Sequence, residues 1–202
     1  MPALGITGGI ATGKSALAAA LCRQLPVTFF DADHCAHALL AQDSGIQRAV
    51  AAAFGDDIFD PVGTPNRARL REIVFTEPSK RRELEQILHP AIRARWVDLA
   101  KVATRDDRWF CADIPLLYET NAQHHFDAVI VVACSPTTQR ARLLENRQLS
   151  PAVAQSIITA QLNLATKIAQ ADYVIWNDAA LSILDRQSRL LARSLRQRFN
   201  HG

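Results

Sequence analysis

The stretch Gly8-Gly9-Ile10-Ala11-Thr12-Gly13-Lys14-Ser15 matches the pattern G-x-x-x-x-G-K-[ST]. It follows the β-like run Ala3–Thr7 and opens the helical run Lys14–Gln24, which is the context that gives the pattern meaning. Glycines let the backbone wrap closely around phosphates, and the start of the helix adds its positive dipole end. The pattern predicts a phosphate-binding loop (P-loop) for a nucleoside triphosphate. The predicted nucleotide-binding residues are Gly8, Gly9, Ile10, Ala11, Thr12, Gly13, Lys14, Ser15 and Ala16.

Two side chains of this loop have the functional groups that phosphoryl transfer needs. Lys14 is expected to reach the β- and γ-phosphates, and it is a candidate catalytic residue because negative charge develops there during transfer. The hydroxyl of Ser15 is a candidate ligand of Mg²⁺.

Short β-like runs alternate with helical stretches along the chain. The runs are Ala3–Thr7, Val27–Asp31, Trp109–Asp113, Ala128–Cys134 and Tyr173–Trp176. Most are continuously apolar, as expected of strands that helices cover on both faces. The alternation predicts an α/β fold with a parallel sheet and crossover helices. A last helix is predicted over Leu181–Phe199, with its leucines on one face and its arginines largely elsewhere.

Two connections contain more residues than one crossover helix needs. The connection over residues 34–102 is predicted to form a helical substrate-binding insertion. The connection over residues 137–168 is predicted to form an arginine-bearing lid. The helical patterns of the first cover 45–54, 67–75 and 79–102, with breaks expected at Pro61, Pro65, Pro78 and Pro90. The predicted core consists of residues 1–33, 103–136 and 169–202.

The composition is that of an ordinary globular chain and excludes several protein classes. Of the 202 residues, 49% are hydrophobic and 21% are charged, and the net charge is +3. This balance argues against nucleic acid as the main partner, and no apolar run approaches the length of a membrane span. We therefore expect a cytoplasmic protein that is a monomer or a small homo-oligomer. Four cysteines without metal-binding or paired spacing are expected to be reduced thiols in or near the core: Cys22, Cys35, Cys111 and Cys134.

Carboxylates stand at the ends of two predicted strands, where open α/β sheets bind their ligands. In Asp31-Ala32-Asp33, a carboxylate could take the proton of an acceptor hydroxyl or help to place Mg²⁺. The alternative is that an aspartate caps the following helix, and we expect one of the pair to be functional and the other to be the cap. Asp113 is a candidate Mg²⁺ ligand, and its alternative is a turn carboxylate.

The surroundings of the loop favour a kinase that acts on a small molecule. The chain lacks the guanine-reading motif N-K-x-D, which argues against a switch GTPase. Arginines on a closing lid are the groups that phosphoryl transfer requires. The alternatives are a different P-loop small-molecule or nucleoside kinase, and a nucleotide-dependent binding protein that has lost catalysis.

The chain resembles the dephospho-CoA kinase family from about Leu4 to Asn177. The segments that carry the resemblance are the P-loop, the aspartate pair, Leu70 to Phe75, Leu88-His89-Pro90-Ala91-Ile92, Asp113-Ile114-Pro115-Leu116-Leu117-Tyr118-Glu119, Gln139, Arg142, Gln161, Lys167, Ala171-Asp172 and Asn177. The order of the aspartate pair, the His-Pro-x-Ile segment and the Pro-Leu-Leu-x-Glu segment is more specific than the P-loop alone.

The resemblance implies a P-loop kinase fold, with a five-stranded parallel sheet flanked by helices, a helical CoA-binding insertion and a lid. It implies MgATP as the donor and the ribose 3′-hydroxyl of dephospho-CoA as the acceptor, in the last step of coenzyme A synthesis. Asp33 would be the catalytic base, Arg142 a catalytic lid arginine that binds ATP, and Asn177 a residue near the adenine. The residues implied near the acceptor are His89, Arg93, Leu116, Leu117, Glu119 and Gln161.

Three positions depart from the family's usual pattern. The family often has Gly in place of Ala11 and Thr in place of Ala16, which leaves the Ser15 hydroxyl intact. It usually has a second lid arginine where this chain has Asn146. Either Arg147 or Arg140 supplies the missing positive charge, or the lid works with less positive charge than is usual in the family.

Overall fold

A five-stranded parallel sheet organises the larger part of the molecule. The computed structural model describes residues 1–60, 63–146 and 150–199. The strands are β1 (Ala3–Gly8), β2 (Val27–Asp31), β3 (Trp109–Asp113), β4 (Ala128–Ala133) and β5 (Tyr173–Trp176). Their order in the sheet is β2-β3-β1-β4-β5, and this confirms the predicted fold class.

The register of the sheet determines what surrounds the loop after β1. Strand β1 lies between β3 and β4, with Ile6 opposite Asp113 and Gly8 opposite Val132. Parallel strands end at the same edge of a sheet. The P-loop therefore emerges beside Asp113 on one side and beside the segment after β4 on the other.

Helices occupy most of the remaining described chain. They are α1 (Lys14–Cys22), α2 (Ala32–Gln42), α3 (Ser44–Phe54), α4 (Arg67–Thr76), α5 (Pro78–Arg105), α6 (Pro136–Glu145), α7 (Pro151–Thr159), α8 (Leu164–Ala169) and α9 (Leu181–Phe199). Helices α6 and α7 begin alike, because Ser135 and Ser150 accept a backbone N–H bond from within the first turn and a proline follows each serine. In the described part of the chain, we find no helix with the length and apolarity needed to cross a bilayer.

The chain divides into two compact units. The first contains residues 1–30 and 99–202, and the second contains residues 31–98. In the first, Leu4, Leu17 and Ile130 of the sheet and α1 pack in one cluster with leucines of α9. The predicted inner face of α9 is confirmed, because Leu184, Leu191 and Leu195 are buried and its arginines are exposed.

The second unit has an apolar core of its own. Its fully or nearly buried side chains are Leu39, Leu40, Val50, Ile58, Leu70 and Leu88, which come from α2 to α5 and from the 3₁₀ turn Asp56–Ile58. Burying one such leucine side chain contributes about 1.5–3 kcal/mol. The sequence places a substrate-binding insertion over a similar stretch, 34–102, and this assignment stays a prediction.

The break expected at Pro90 is wrong. Helix α5 runs without interruption from Pro78 to Arg105, and Pro90 lies inside it. A proline in a helix interior costs about 3 kcal/mol. Leu88 and Trp96, both nearly fully buried on the same helix, offset that cost through their packing. The break expected at Pro61 lies outside the described residues.

All four cysteines have free thiols, as expected. Cys111 and Cys134 are buried in strand β3 and at the end of β4, and Cys35 is half-buried. Burial raises the pKa of the Cys111 thiol well above its ordinary range. Cys22 departs from the expectation, because it lies at the exposed end of α1.

Candidate active site

The P-loop needs glycine at the residue that precedes α1. Gly13 has a φ of 100°, in the left-handed region that L side chains rarely adopt. A Cβ atom at this position would lie 2.0 Å from Nδ2 of Asn177. Ala11 also has a positive φ, 59°, which costs about 1–2 kcal/mol in a residue with a side chain. The loop thus holds strain at one of the positions where the family often has glycine.

The loop is folded around the carbonyl of Gly9. The buried hydroxyl of Thr12 donates to this oxygen at 2.9 Å, and Lys14 Nζ donates to it at 3.1 Å. Lys14, the predicted phosphate-binding lysine, is therefore already directed back over the loop. Thr12 was expected only as a nucleotide-binding loop residue, and its hydroxyl stabilises the loop itself.

Arg142 and Asn177 meet on the second half of the loop. NH1 of Arg142 donates to the carbonyls of Ala11 and Thr12, both at 3.3 Å, and NH2 donates to the carbonyl of Asn177 at 2.9 Å. Nδ2 of Asn177 donates to the Thr12 carbonyl at 2.8 Å. The structure thus brings together the P-loop, helix α6 and the residue after β5, and the roles of Arg142 and Asn177 in nucleotide binding stay predictions.

The residue after Asn177 holds this segment in place. Asp178 accepts hydrogen bonds from the backbone N–H and the hydroxyl of Ser135, both at 2.9 Å. Its pKa is lowered to about 2, first by a hydrogen bond from the side chain of Thr138 and then by that from the Ser135 backbone. Asp178 is therefore ionised at neutral pH, and its hydrogen bonds connect the segment after β5 to the residue that precedes α6.

Two glutamine side chains bind the backbone of one loop residue, Ile10. Gln139 of α6 donates from Nε2 to the carbonyl of Ile10 at 2.8 Å, and the N–H of Ile10 donates to Oε1 of Gln161 at 2.8 Å. Gln139 is buried and Gln161 is half-buried. Gln161, expected near the acceptor, thus lies against the P-loop in this structure.

The candidate metal ligands have the donor chemistry that suits Mg²⁺. Ser15 presents an exposed hydroxyl at the start of α1, and Asp113 is a nearly buried carboxylate opposite Ile6 in the sheet. Mg²⁺ prefers oxygen ligands and is usually held by one or two protein groups together with substrate phosphates. In the described part of the chain, no three His, Cys, Asp or Glu side chains are grouped as a metal site would require. The residues present fit a metal that arrives with the nucleotide.

Glu119 is held by a buried lysine. Lys167 has no exposed surface, and its Nζ lies 2.9 Å from Oε1 of Glu119 and donates to the carbonyl of Pro115 at 2.8 Å. Of the two leucines expected near the acceptor, Leu117 is fully buried, so only the half-buried Leu116 has surface to offer a ligand.

The aspartate pair differs in its local role. Asp31 is the N-cap of α2, and its side chain accepts the N–H of His34 at 2.8 Å. Asp33 lies in the first turn of α2 and is exposed. The capping role expected of one aspartate belongs to Asp31, and the carboxylate of Asp33 is not used as the cap.

His89 and Arg93 share one face of α5, because they are four residues apart. Burial lowers the pKa of the half-buried His89 imidazole, with Arg93 acting in the same direction and Glu85 against it. His89 is therefore a neutral hydrogen-bonding group near neutral pH, next to an exposed guanidinium.

The predicted lid contains α6, α7 and α8. NH2 of Arg140 donates to Oε1 of Gln155 on α7 at 3.1 Å, so Arg140 joins two helices of the lid. Asn146 is the C-cap of α6. Arg147 lies outside the described residues, and its substitution for the arginine missing at 146 stays a prediction.

Sequence reasoning gave no role to Gln139 or Lys167. Both belong to the segments that carry the family resemblance, but a lone glutamine or lysine has no spacing that indicates its partner. Lys167 lies far along the chain from Glu119, and only the fold shows that its charge is buried beside that carboxylate.

Comparison with known proteins shows the family of this chain and its fold. The model of the dephospho-CoA kinase family matches residues 3–182 of this chain. The dephospho-CoA kinase of Thermosynechococcus vestitus is 42% identical over 184 residues, which cover 91% of this chain and 90% of that protein. The crystal structure of TT1252 from Thermus thermophilus has a TM-score of 0.77 and 25% identity, covering 96% of this chain and 97% of that one. The dephospho-CoA kinase from Campylobacter jejuni shares the fold, with a TM-score of 0.70 and 23% identity over 96% of each chain.

Proposed function

This chain belongs to the dephospho-CoA kinase family, and we propose that it transfers the γ-phosphoryl group of ATP to the ribose 3′-hydroxyl of dephospho-CoA. The products are coenzyme A and ADP, and the reaction is the last step of coenzyme A synthesis. The observation that carries the proposal is the convergence of Arg142 and Asn177 on the P-loop, in a chain that matches this family along most of its length.

The P-loop side of the site binds ATP. Backbone N–H groups of the loop and the N-terminus of α1 receive the phosphates. Lys14 leaves the Gly9 carbonyl for the β- and γ-phosphates, where its charge offsets the charge that develops during transfer. Arg142 adds a second cation from α6, and Asn177 lies near the adenine.

Ser15 and Asp113 would hold Mg²⁺, directly or through water. When bound, the metal neutralises phosphate charge and helps to orient the γ-phosphoryl group. The hydroxyl of Ser15 is exposed and positioned at the first turn of α1, which supports this role.

The acceptor side is proposed for the residues that the family resemblance places near dephospho-CoA. Asp33 takes the proton of the ribose 3′-hydroxyl. At the same time the hydroxyl oxygen bonds to the γ-phosphorus, and the bond between that phosphorus and the β,γ-bridging oxygen breaks, which releases ADP. The exposure of Asp33 in the first turn of α2, beyond the capping Asp31, supports this assignment. His89 and Arg93 on one face of α5 are donors suited to the phosphate and polar groups of dephospho-CoA. Half-buried Leu116 contributes an apolar contact.

We also propose that the enzyme works in the cytoplasm, without nucleic acid or membrane partners, as a monomer or a small homo-oligomer. Four free thiols fit a reducing compartment. The balanced net charge of +3 fits a small-molecule substrate better than a nucleic acid.

A panel of acceptors tests the proposed function. ADP release is measured with MgATP and dephospho-CoA, adenosine or shikimate. Dephospho-CoA should support turnover with one ADP for each coenzyme A formed, and the other two acceptors should be far slower. A nucleoside that outcompetes dephospho-CoA would overturn the substrate assignment.

A further inference from the structure

A chain of polar contacts leaves the end of β1 and returns to the P-loop. The hydroxyl of Thr7, which is fully buried, donates to the carbonyl of Pro115 at 3.1 Å. Nζ of Lys167 donates to the same carbonyl at 2.8 Å and pairs with Oε1 of Glu119 at 2.9 Å. The contacts therefore connect Thr7, the strand residue just before the P-loop, to the ion pair of Glu119 with the buried Lys167.

The same ion pair holds the residue next to Gln161. Oε1 of Glu119 accepts the backbone N–H of Leu162 at 2.9 Å. The adjacent side chain, Gln161, accepts the N–H of Ile10 at 2.8 Å. The contacts that begin at Thr7 thus return to the chain at Ile10, three residues later and inside the P-loop, and the carbonyl of the same residue is bound by Gln139.

We infer that the ion pair of Glu119 and Lys167 positions the P-loop for ATP by holding Gln161, whose side chain accepts the N–H of Ile10. The inference deepens the proposed function and rests on its use of ATP. Glu119 and Lys167 are positioning residues here, because the path to the nucleotide runs through Gln161 and the loop backbone.

The chemistry of the pair suits this role. Lys167 has no exposed surface, whereas the Glu119 side chain is 21% exposed. A buried ammonium needs a nearby carboxylate, so the fold holds Glu119 in one place. Hydrogen bonds to an ionised acceptor are about twice as strong as neutral ones, so the charge of Glu119 tightens its bond from the Leu162 N–H. A rigid Leu162 backbone in turn limits where the Gln161 amide can lie.

Equilibrium binding of ATP, measured without acceptor, tests the inference. In Glu119→Gln, the side chain keeps its shape and an acceptor oxygen but loses the charge that Lys167 requires. We expect this variant to bind ATP about tenfold more weakly, and Gln161→Ala to show a similar loss. The double variant should be no weaker than the more affected single variant, because both changes interrupt one path. The maximal rate at saturating substrates should fall less than the affinity.

Asp172→Asn is the matched control. Asp172 also accepts a backbone N–H, that of Val129, at 2.9 Å, and it pairs with Arg198 at 2.9 Å. This variant should lower thermal stability as Glu119→Gln does, yet keep the wild-type affinity for ATP. Lys167→Met is the reciprocal test, and Glu119→Gln decides the matter if Lys167→Met does not fold.

Three results would overturn the inference: unchanged ATP affinity in Glu119→Gln, an equal loss in Asp172→Asn, or losses that multiply in the double variant. The dephospho-CoA assay separates this outcome from failure of the proposed function. A wild-type chain that binds ATP but does not phosphorylate dephospho-CoA contradicts the proposed acceptor and leaves the positioning role in place, whereas one that does not bind ATP contradicts both.

Discussion

Arg142 donates from NH2 to the backbone carbonyl of Asn177 at 2.9 Å, and the side chains of both residues donate to the carbonyl of Thr12. One residue comes from α6 and the other follows β5, so two elements far apart in the chain meet on one peptide of the P-loop. Because the guanidinium is anchored through two of its nitrogens, its position is largely set before a phosphate arrives. The guanidinium can therefore stabilise the negative charge of the transferring phosphoryl group without first changing its own position.

Arg142→Ala should lower kcat by about 10²–10³-fold, because it removes a preorganised cation from the region of the transferring phosphoryl group. Arg140→Ala should be mild, since Arg140 bonds Gln155 within the lid. Steady-state kinetics of the two variants provide the measurement. Equal losses in the two variants would contradict the separate roles assigned to Arg142 and Arg140. The sequence further predicts that Arg147→Ala costs more than Arg140→Ala.

Lys14→Ala should reduce turnover by orders of magnitude while the fold survives. Lys14 is half-buried and its Nζ bonds the Gly9 carbonyl, so its loss removes one loop contact and the main phosphate cation. Circular dichroism and thermal unfolding establish that the variant is folded, and ADP release reports its activity. Activity near that of the wild type would contradict the role of the P-loop.

Asp33→Asn should lower kcat by about 10²–10³-fold with ATP affinity near normal, because an amide cannot accept the proton of the hydroxyl. Asp31→Asn should be nearly neutral, since Asn caps a helix about as well as Asp. ATP titration and kcat are measured on both variants. An inactive Asp31→Asn variant together with an active Asp33→Asn variant would reverse the assignment of the two aspartates. Full activity in both variants would show that neither aspartate is catalytic.

Gly13→Ala should abolish ATP binding and lower thermal stability. The residue has a φ of 100°, and the new Cβ would meet Nδ2 of Asn177 at 2.0 Å, so either the loop or Asn177 must move. Gly45→Ala is the control, because Gly45 lies in helix α3 and its Cβ would approach only Oδ1 of Asp43, at 3.2 Å. The control should change stability by no more than about 1 kcal/mol. Calorimetry and ATP titration compare the two, and equal ATP affinity would show that the loop does not depend on the Gly13 conformation.

Acidification below about pH 6.5 should destabilise the second unit through His89. Burial lowers the pKa of His89 in the folded chain, so the unfolded chain takes up the proton first. The stability that neutral His89 contributes is fully present above the unfolded pKa and is lost as the pH falls through the folded pKa. His89→Gln should therefore show a shallower fall in unfolding free energy between pH 7 and pH 5. The unfolding free energy of both proteins is measured by denaturant titration at each pH. An equal fall with pH in the two proteins would contradict the lowered pKa of His89.

Local patterns in the sequence were sufficient for three of the strands and for the last helix. Three strands, Val27–Asp31, Trp109–Asp113 and Tyr173–Trp176, have the predicted bounds. Helix α9 also has its predicted bounds and inner face. These features follow from the period of apolar residues and from glycine spacing, which depend on neighbours a few residues away. Pro90 shows the limit, because the penalty for a helix-interior proline is local, whereas the packing that offsets it is not.

The sequence by itself determined a phosphate-binding loop on a parallel α/β sheet, because one contiguous segment encodes both the turn and the charge. The family resemblance implied that Arg142 and Asn177 bind the nucleotide, but only the tertiary structure shows which atoms of the loop they contact. Arg142 and Asn177 reach the loop through the order of the strands, and Gln161 reaches it beside the ion pair of Glu119 with the buried Lys167. Contacts between residues distant in the chain leave no periodic trace, since their partners are chosen by the packing of whole helices and strands.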